Sequence, residues 1–292
     1  MNFISILKKE KQTTYADSIT FKDFITYLEN HTLIIIITIV ILLLSHGYLL
    51  FNNNIGIDTN VFIDDPESNY NWVENGRFGL LIEKNLLHLN SFSLFYVEML
   101  AIIFLLIFCL VTYYTFYKIS GKDFNLINLC IPIIGFTHPI WTEQFIFILQ
   151  IAEIAFSLFL TILAVLFVFK WIIEKKFIYS IFNIVLLTIV IGSYQSFFVI
   201  YIALCLFSFI LLYENQNFNE DNKLEYIWIS IAKLLGTFFI SFILYNLIIK
   251  FLGCDFNYLN NSMGWKNLPK QYCIKNIFNH FKELLLGARK LL

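Results

Sequence analysis

Two adjacent acids, Asp64 and Asp65, stand before Pro66 in a polar stretch of an otherwise apolar chain. A carboxylate in such a place can serve as general base on an acceptor hydroxyl, while its neighbour orients it or holds a divalent cation. Adjacent side chains cannot both be aimed at one substrate atom, so the pair reads as one base and one helper, in either order. Asp-Asp-Pro is also ordinary turn chemistry, because proline biases its predecessor away from helix. Further along the same stretch, Arg77 in NGRFG offers a planar fork that fits phosphate through two parallel hydrogen bonds. Its alternative readings are an interfacial arginine or a partner of Glu74. Glu143, in THPIWTEQF, is a second acid beside His138 and Trp141. Gln150, Glu153 and Ser157 follow an i, i+3, i+7 spacing that puts them on one helix face, expected to point into a cavity rather than lipid. Tyr194 and Gln195, in GSYQSFF, add a phenol and an amide of the kind that grips sugars.

The elements that must position these groups are membrane helices. Of 292 residues, 59% are hydrophobic and 14% charged, and the mean hydropathy is +0.72. No single water-soluble core could bury that much apolar surface, so the composition specifies an all-α, polytopic integral membrane bundle. At roughly 20 apolar residues per crossing, the sequence predicts seven transmembrane helices near 33–51, 92–117, 124–138, 149–171, 177–193, 196–213 and 227–251. Pro132 and Gly135 make the third of these short or broken. A 39-residue polar loop, Asn52 to Asn90, separates the first two spans and carries Asp64, Asp65 and Arg77. Within it, Phe78, Leu81, Ile82, Leu86 and Leu89 recur with Glu83, Lys84 and His88 between them, the pattern of a short helix lying in the interface plane.

Basic residues in short loops set the orientation, since Lys and Arg resist translocation. Lys8, Lys9, Lys11, Lys22, Lys118, Lys122, Lys170, Lys175, Lys176 and Lys223 share one side of the seven-helix arrangement, against Arg77 and Lys84 on the other. The N-terminal segment 1–30 is therefore expected in the cytoplasm. The helical domain 31–251 then displays its 52–90 loop outside, together with an amphipathic tail, 252–292.

Other chemistries are excluded. With 20 basic and 21 acidic residues and a net charge of -1, the chain has no electrostatic footprint for nucleic acid. Neither a Walker sequence nor GxGxxG occurs. Cys109, Cys130 and Cys205 lie in apolar runs as small hydrophobes, and no CxxC or Cys/His ligand spacing appears. Cys254 and Cys273, nineteen positions apart, could pair if their segment meets an oxidising compartment.

Several short motifs, taken in order, resemble the Gtr type II glucosyltransferases, membrane enzymes related to bacterial O-antigen serotype conversion. They are IDD at Ile63 to Asp65, NW at Asn71 and Trp72, GRFG at Gly76 to Gly79, a Pro-x-x-Glu-x-Phe-like element at Pro139 to Phe145, and SYQS at Ser193 to Ser196. The resemblance runs from about residue 30 to residue 250. It implies a GT-C-like bundle at the bacterial inner membrane, whose large first extracytoplasmic loop supplies the catalytic Asp. Such enzymes pass a hexose, here glucose, from a polyprenyl-phosphate carrier to a hydroxyl on a surface glycan such as O-antigen.

On this chain the resemblance makes Asp64 and Asp65 base and helper and Arg77 a phosphate clamp. Trp72, Glu143, Glu153, Tyr194 and Gln195 become substrate-binding candidates. A divalent cation is the one cofactor such a site would take, and its donor, glycan acceptor and the lipid bilayer are the expected partners. Members are usually longer, so a chain ending at Leu292 in a basic amphipathic stretch is expected to be a fragment or a reduced member. A flippase for lipid-linked sugar, or a non-catalytic membrane partner, would also be polytopic with acids in its spans. A transporter, however, needs polar groups along a complete path, and the acids here gather towards one face.

Overall fold

The computed structural model describes residues 19–52, 70–89, 93–121, 135, 141, 144–145, 147–215, 220–254 and 269–286. Among these residues the longer regular elements are all helices. They are α1 (Phe21–Asn30), α2 (Thr32–His46, continued by a 3-10 turn Gly47–Phe51), α3 (Tyr70–Glu74), α4 (Phe78–Leu86), α5 (Leu94–Ser120), α6 (Ile151–Glu174), α7 (Ile178–Ser193), α8 (Phe197–Asn215), α9 (Glu220–Leu252) and α10 (Lys270–Leu286). Helices are what an apolar medium demands, because each backbone N–H and C=O must then be satisfied within the segment.

Five of them are long and apolar enough to cross a membrane: Thr32–Phe51, Leu94–Ser120, Ile151–Glu174, Phe197–Glu214 and Glu225–Leu252. The expected span 177–193 is α7, of 16 residues, about 24 Å at 1.5 Å per residue. That is short of the roughly 30 Å hydrocarbon core. Lys175 and Lys176 flank its N-terminal end. At its C-terminal end Tyr194 breaks the helix in an extended conformation (φ −150°, ψ 117°). The expected span 124–138 lies outside the described residues.

Local stop signals explain several boundaries. Thr20 and Asp23 close a capping box on α1, with Thr20 Oγ1 accepting from the Asp23 amide at 3.2 Å and the Thr20 amide donating back at 3.0 Å. Gly121 ends α5 in the left-handed region at φ 62°, as glycine readily does.

The bundle is built round α6. Of its most apolar window, 83% is buried, against 39% or less for the other four candidate spans. It packs against α5 and α7, with α8 and α9 completing the surround. Exposed aliphatic and aromatic side chains are numerous on α2, α7, α8 and α9, the outward faces that a lipid environment would cover. Several buried hydroxyls are satisfied by their own helices: Thr112 donates to Phe108 O at 2.6 Å, Thr161 to Ser157 O at 2.7 Å and Thr188 to Ile184 O at 2.7 Å. Asn183 ties three helices together by donating to Ala164 O at 2.8 Å and to the Tyr201 hydroxyl at 3.0 Å. Such bonds, with close packing, hold helices together where no hydrophobic force does.

Two expectations are corrected. The 78–89 segment does not lie with its charges outward in the interface plane. Helix α4 buries Glu83 and Lys84 against α6 and α7, and it leaves Ile82 and Leu86 exposed. Cys254 and Cys273 are separate thiols, and the Cys254 Sγ–H donates to Val73 O at 2.9 Å.

Candidate active site

The sequence V-E-N-G-R folds into a Schellman turn. The Gly76 amide donates to Val73 O and the Arg77 amide to Trp72 O, each at 2.8 Å, while Gly76 takes φ 75°. These are the paired bonds that close a helix through a left-handed glycine. The turn folds Arg77 back over α3, and its guanidinium lies 5.3 Å from the centre of the Trp72 ring. The other face of the site comes from α7. Tyr194, the first residue past that helix, places its ring 4.6 Å from the Arg77 guanidinium. Aromatic faces attract a guanidinium and cover its planes, leaving the N–H fork at the edges to bind an anion. Among the described residues no carboxylate forms an ion pair with Arg77, Glu74 included.

Close packing sets this meeting. Gly79 lies so near α7 that a Cβ there would sit 2.3 Å from Ile189 O and 2.4 Å from the Ser193 amide nitrogen. In return the Phe78 ring covers Gly192, where a Cβ would meet it at 2.5 Å. The glycines of GRFG and GSYQ are thus two halves of one contact, the small-residue packing typical of membrane helices. Gln195 donates to the Tyr245 hydroxyl at 2.9 Å, and Tyr245 from α9 stacks on Phe78 with centroids 6.0 Å apart.

Beneath this layer is a buried polar cluster. Lys84 pairs with Glu153 at 2.5 Å and donates to Leu149 O at 2.7 Å. Glu83 Oε1 accepts from Ser157 and from Ser193, both at 2.7 Å. Burial pushes the Glu83 carboxyl up to about 8, against the pull of the two serine hydrogen bonds, and the nearby Glu153 carboxylate adds to the rise. The Gln150, Glu153 and Ser157 face is therefore sealed by α4 rather than open to a cavity, with Glu153 and Ser157 both fully buried. Glu98, in the second turn of α5, is also buried, and its Oε2 has no hydrogen-bond partner among the described residues.

Of the sequence-predicted site residues, the structure brings together Trp72, Arg77 and Tyr194, with Gln195 beside Tyr194. It places Glu153 below them, paired with Lys84. Asp64, Asp65 and Glu143, as well as His138, lie outside the described residues. Trp141 is half-buried and its indole N–H donates to Gly135 O. Among the described residues, no three His, Cys, Asp or Glu side chains are grouped to hold a metal ion.

Lys84 and Tyr245 were not among the sequence-predicted site residues. Each carried a signal, a lysine inside an apolar stripe and a tyrosine in a span otherwise rich in Ile, Leu and Phe.

A sequence-family model described as Glucosyl transferase GtrII matches residues 47–289. The chain belongs to the GtrII glucosyl transferase family. The matched region takes in every described element of the site, from α3 through α9. Comparison of this GtrII chain with curated proteins and with solved structures finds no match. Family and fold together give a membrane protein with a glucosyl-transfer role, which requires a sugar donor and an acceptor.

Proposed function

We propose that this GtrII glucosyl transferase moves glucose from a polyprenyl-phosphate carrier to a hydroxyl of a cell-surface glycan such as O-antigen, at the outer face of the bacterial inner membrane. The observation that carries this reading is the Arg77 guanidinium carbon held over two aromatic rings, 4.6 Å from the centre of Tyr194 and 5.3 Å from that of Trp72. A cation held by its faces with its donor edges available suits a phosphate that gains charge as it leaves. Beside it, the Gln195 amide and the Tyr194 and Tyr245 phenols supply the neutral hydrogen-bonding groups that a sugar needs.

In this mechanism one carboxylate of the Asp64–Asp65 pair takes the proton of the acceptor hydroxyl while the other orients it. The acceptor oxygen forms its bond to the anomeric carbon as the bond from that carbon to the phosphate oxygen breaks. The departing phosphate keeps the electron pair, and Arg77 balances its charge. No covalent sugar–enzyme intermediate is needed. Glu143 joins the substrate-binding set, and Glu153 serves the site through Lys84.

Losing the base should cost roughly 10²–10⁴ in rate. Asp64→Asn and Asp65→Asn should therefore abolish transfer, read as loss of one hexose from the surface glycan mass, at unchanged membrane abundance. Full activity in both variants would overturn the assignment.

A further inference from the structure

We propose that Ser193 and Glu83 form a neutral positioning clamp that seats the Arg77 guanidinium against Tyr194 and so sets the affinity of the site for its phosphate-bearing donor. The proposal rests on Arg77 acting as the phosphate clamp. Arg77 and Tyr194 belong to different elements, and each stands one residue outside a fixed contact. Arg77 precedes Phe78, whose ring covers Gly192; Tyr194 follows Ser193, whose amide nitrogen lies where a Gly79 Cβ would be. These contacts prevent α4 from coming closer to α7 but do not prevent it from drifting away. The tether is Glu83, which accepts from Ser193 of α7 and from Ser157 of α6, at 2.7 Å in each case.

The proton count on Ser193 shows what kind of tether this is. Its Oγ is 2.7 Å from Glu83 Oε1 and also 3.0 Å from Ile189 O. A hydroxyl has one proton to give, and neither of those oxygens carries one if Glu83 is ionised. With Glu83 ionised the two bonds must share that one proton; with the Glu83 carboxyl protonated, it can donate to Ser193, which then gives its own proton undivided to Ile189 O. The charged groups facing Glu83 are Lys84 on its own helix and Glu153 from α6, and these two neutralise each other at 2.5 Å. A protonated Glu83 thus leaves the cluster without net charge, the state a buried site favours. Glutamine is its isosteric neutral substitute, with an amide N–H in place of the acid proton.

The test uses the full chain in detergent, with polyprenyl-phosphate glucose as the ligand, titrated against tryptophan fluorescence. Hydrogen exchange of the α4 amides is measured in parallel. Ser193→Ala should weaken binding roughly 3- to 10-fold, the scale of one buried hydrogen bond, and lower the protection of 78–86. Arg77→Ala should weaken it more. The double variant should bind no worse than Arg77→Ala alone to within about twofold, because residues acting through one another are not additive. Glu83→Gln should bind within about twofold of wild type, whereas Glu83→Leu should match Ser193→Ala.

Losses that multiply in the double variant would overturn the clamp, as would a Glu83→Gln variant as weak as Glu83→Leu. If Arg77→Ala weakens binding and Ser193→Ala does not, the clamp alone fails. Wild-type binding by Arg77→Ala would sink the phosphate reading and the clamp's role with it, even if α4 still lost protection in Ser193→Ala.

Discussion

Replacing Lys84 with methionine should be among the most damaging single changes in the bundle, although no sugar or phosphate need touch that residue. Its ammonium lies 2.5 Å from Glu153, with the two side chains 4% and 0% exposed. Methionine keeps most of the stem volume, so the change isolates the charge. Removing one partner of a buried pair costs about 3–5 kcal/mol, since the other charge stays behind without solvent. The lost bond to Leu149 O adds about 1 kcal/mol. The sum approaches the whole stability of an ordinary domain, about 5–15 kcal/mol. Taking both charges away removes the penalty, so Lys84→Met/Glu153→Leu should recover to within about 2 kcal/mol of wild type. The assay is reversible unfolding in mixed micelles of increasing SDS fraction, followed by circular dichroism for wild type, both single variants and the double. A loss below about 1 kcal/mol in Lys84→Met, or a double variant no better than the worse single, would refute the account of the pair as mutually dependent.

Gly79→Ala should displace α4 and cut glucosyl transfer at least as far as Arg77→Ala does, because its Cβ would meet backbone at 2.3 Å and 2.4 Å, which cannot swing aside; transfer within twofold of wild type would show that α4 tolerates the shift. Stability should also depend on pH through Glu83. Its folded value of about 8 exceeds the ordinary 4.5, so the native protein holds a proton that the unfolded chain releases. That contribution is full below about 4.5 and is lost as pH rises through 8. Melting temperatures in detergent from pH 5 to 9 should fall for wild type relative to Glu83→Gln, and parallel curves would reject this. Tyr194→Phe should keep donor binding within about threefold, because the ring face survives, whereas Tyr194→Ala loses a cation–π contact of about 0.5–2 kcal/mol; equal losses in the two variants would point to the hydroxyl instead.

The spans were legible because lipid selects for long apolar runs whatever their packing. Six of the seven predicted helices appear within a few residues of their expected ends, apart from α9, which starts at Glu220 rather than near 227. What the sequence hid was which face of a helix turns inward. The stripe at Phe78, Leu81, Ile82, Leu86 and Leu89 reads as the apolar side of a helix lying in the interface plane, with Glu83 and Lys84 between. In a bilayer an apolar face can be left outside at no cost, and the polar groups are what must find partners. Helix α4 therefore buries Glu83 and Lys84 along with Phe78 and Leu80, and leaves Ile82 and Leu86 exposed. The same inversion hid the role of the Gln150, Glu153 and Ser157 face, whose spacing shows that it is shared but not that α4 closes it. Arg77 and Tyr194, 117 positions apart in the chain, were flagged separately; only the glycine contact between α4 and α7 shows why they meet.

The shortness of α7 bears on a side reaction that any sugar transferase must suppress. With its Lys175–Lys176 end at one membrane surface, sixteen residues would leave the Tyr194 end about 6 Å short of the other, the difference between roughly 24 Å of helix and roughly 30 Å of hydrocarbon. In the proposed reaction a glycan hydroxyl would have to be inserted that far to reach the sugar, whereas bulk water outnumbers it at the surface as a rival nucleophile. A turn recessed by one helical step would thus favour glycosylation over hydrolysis of the activated donor. The same depth asks for an acceptor narrow enough to enter end-on.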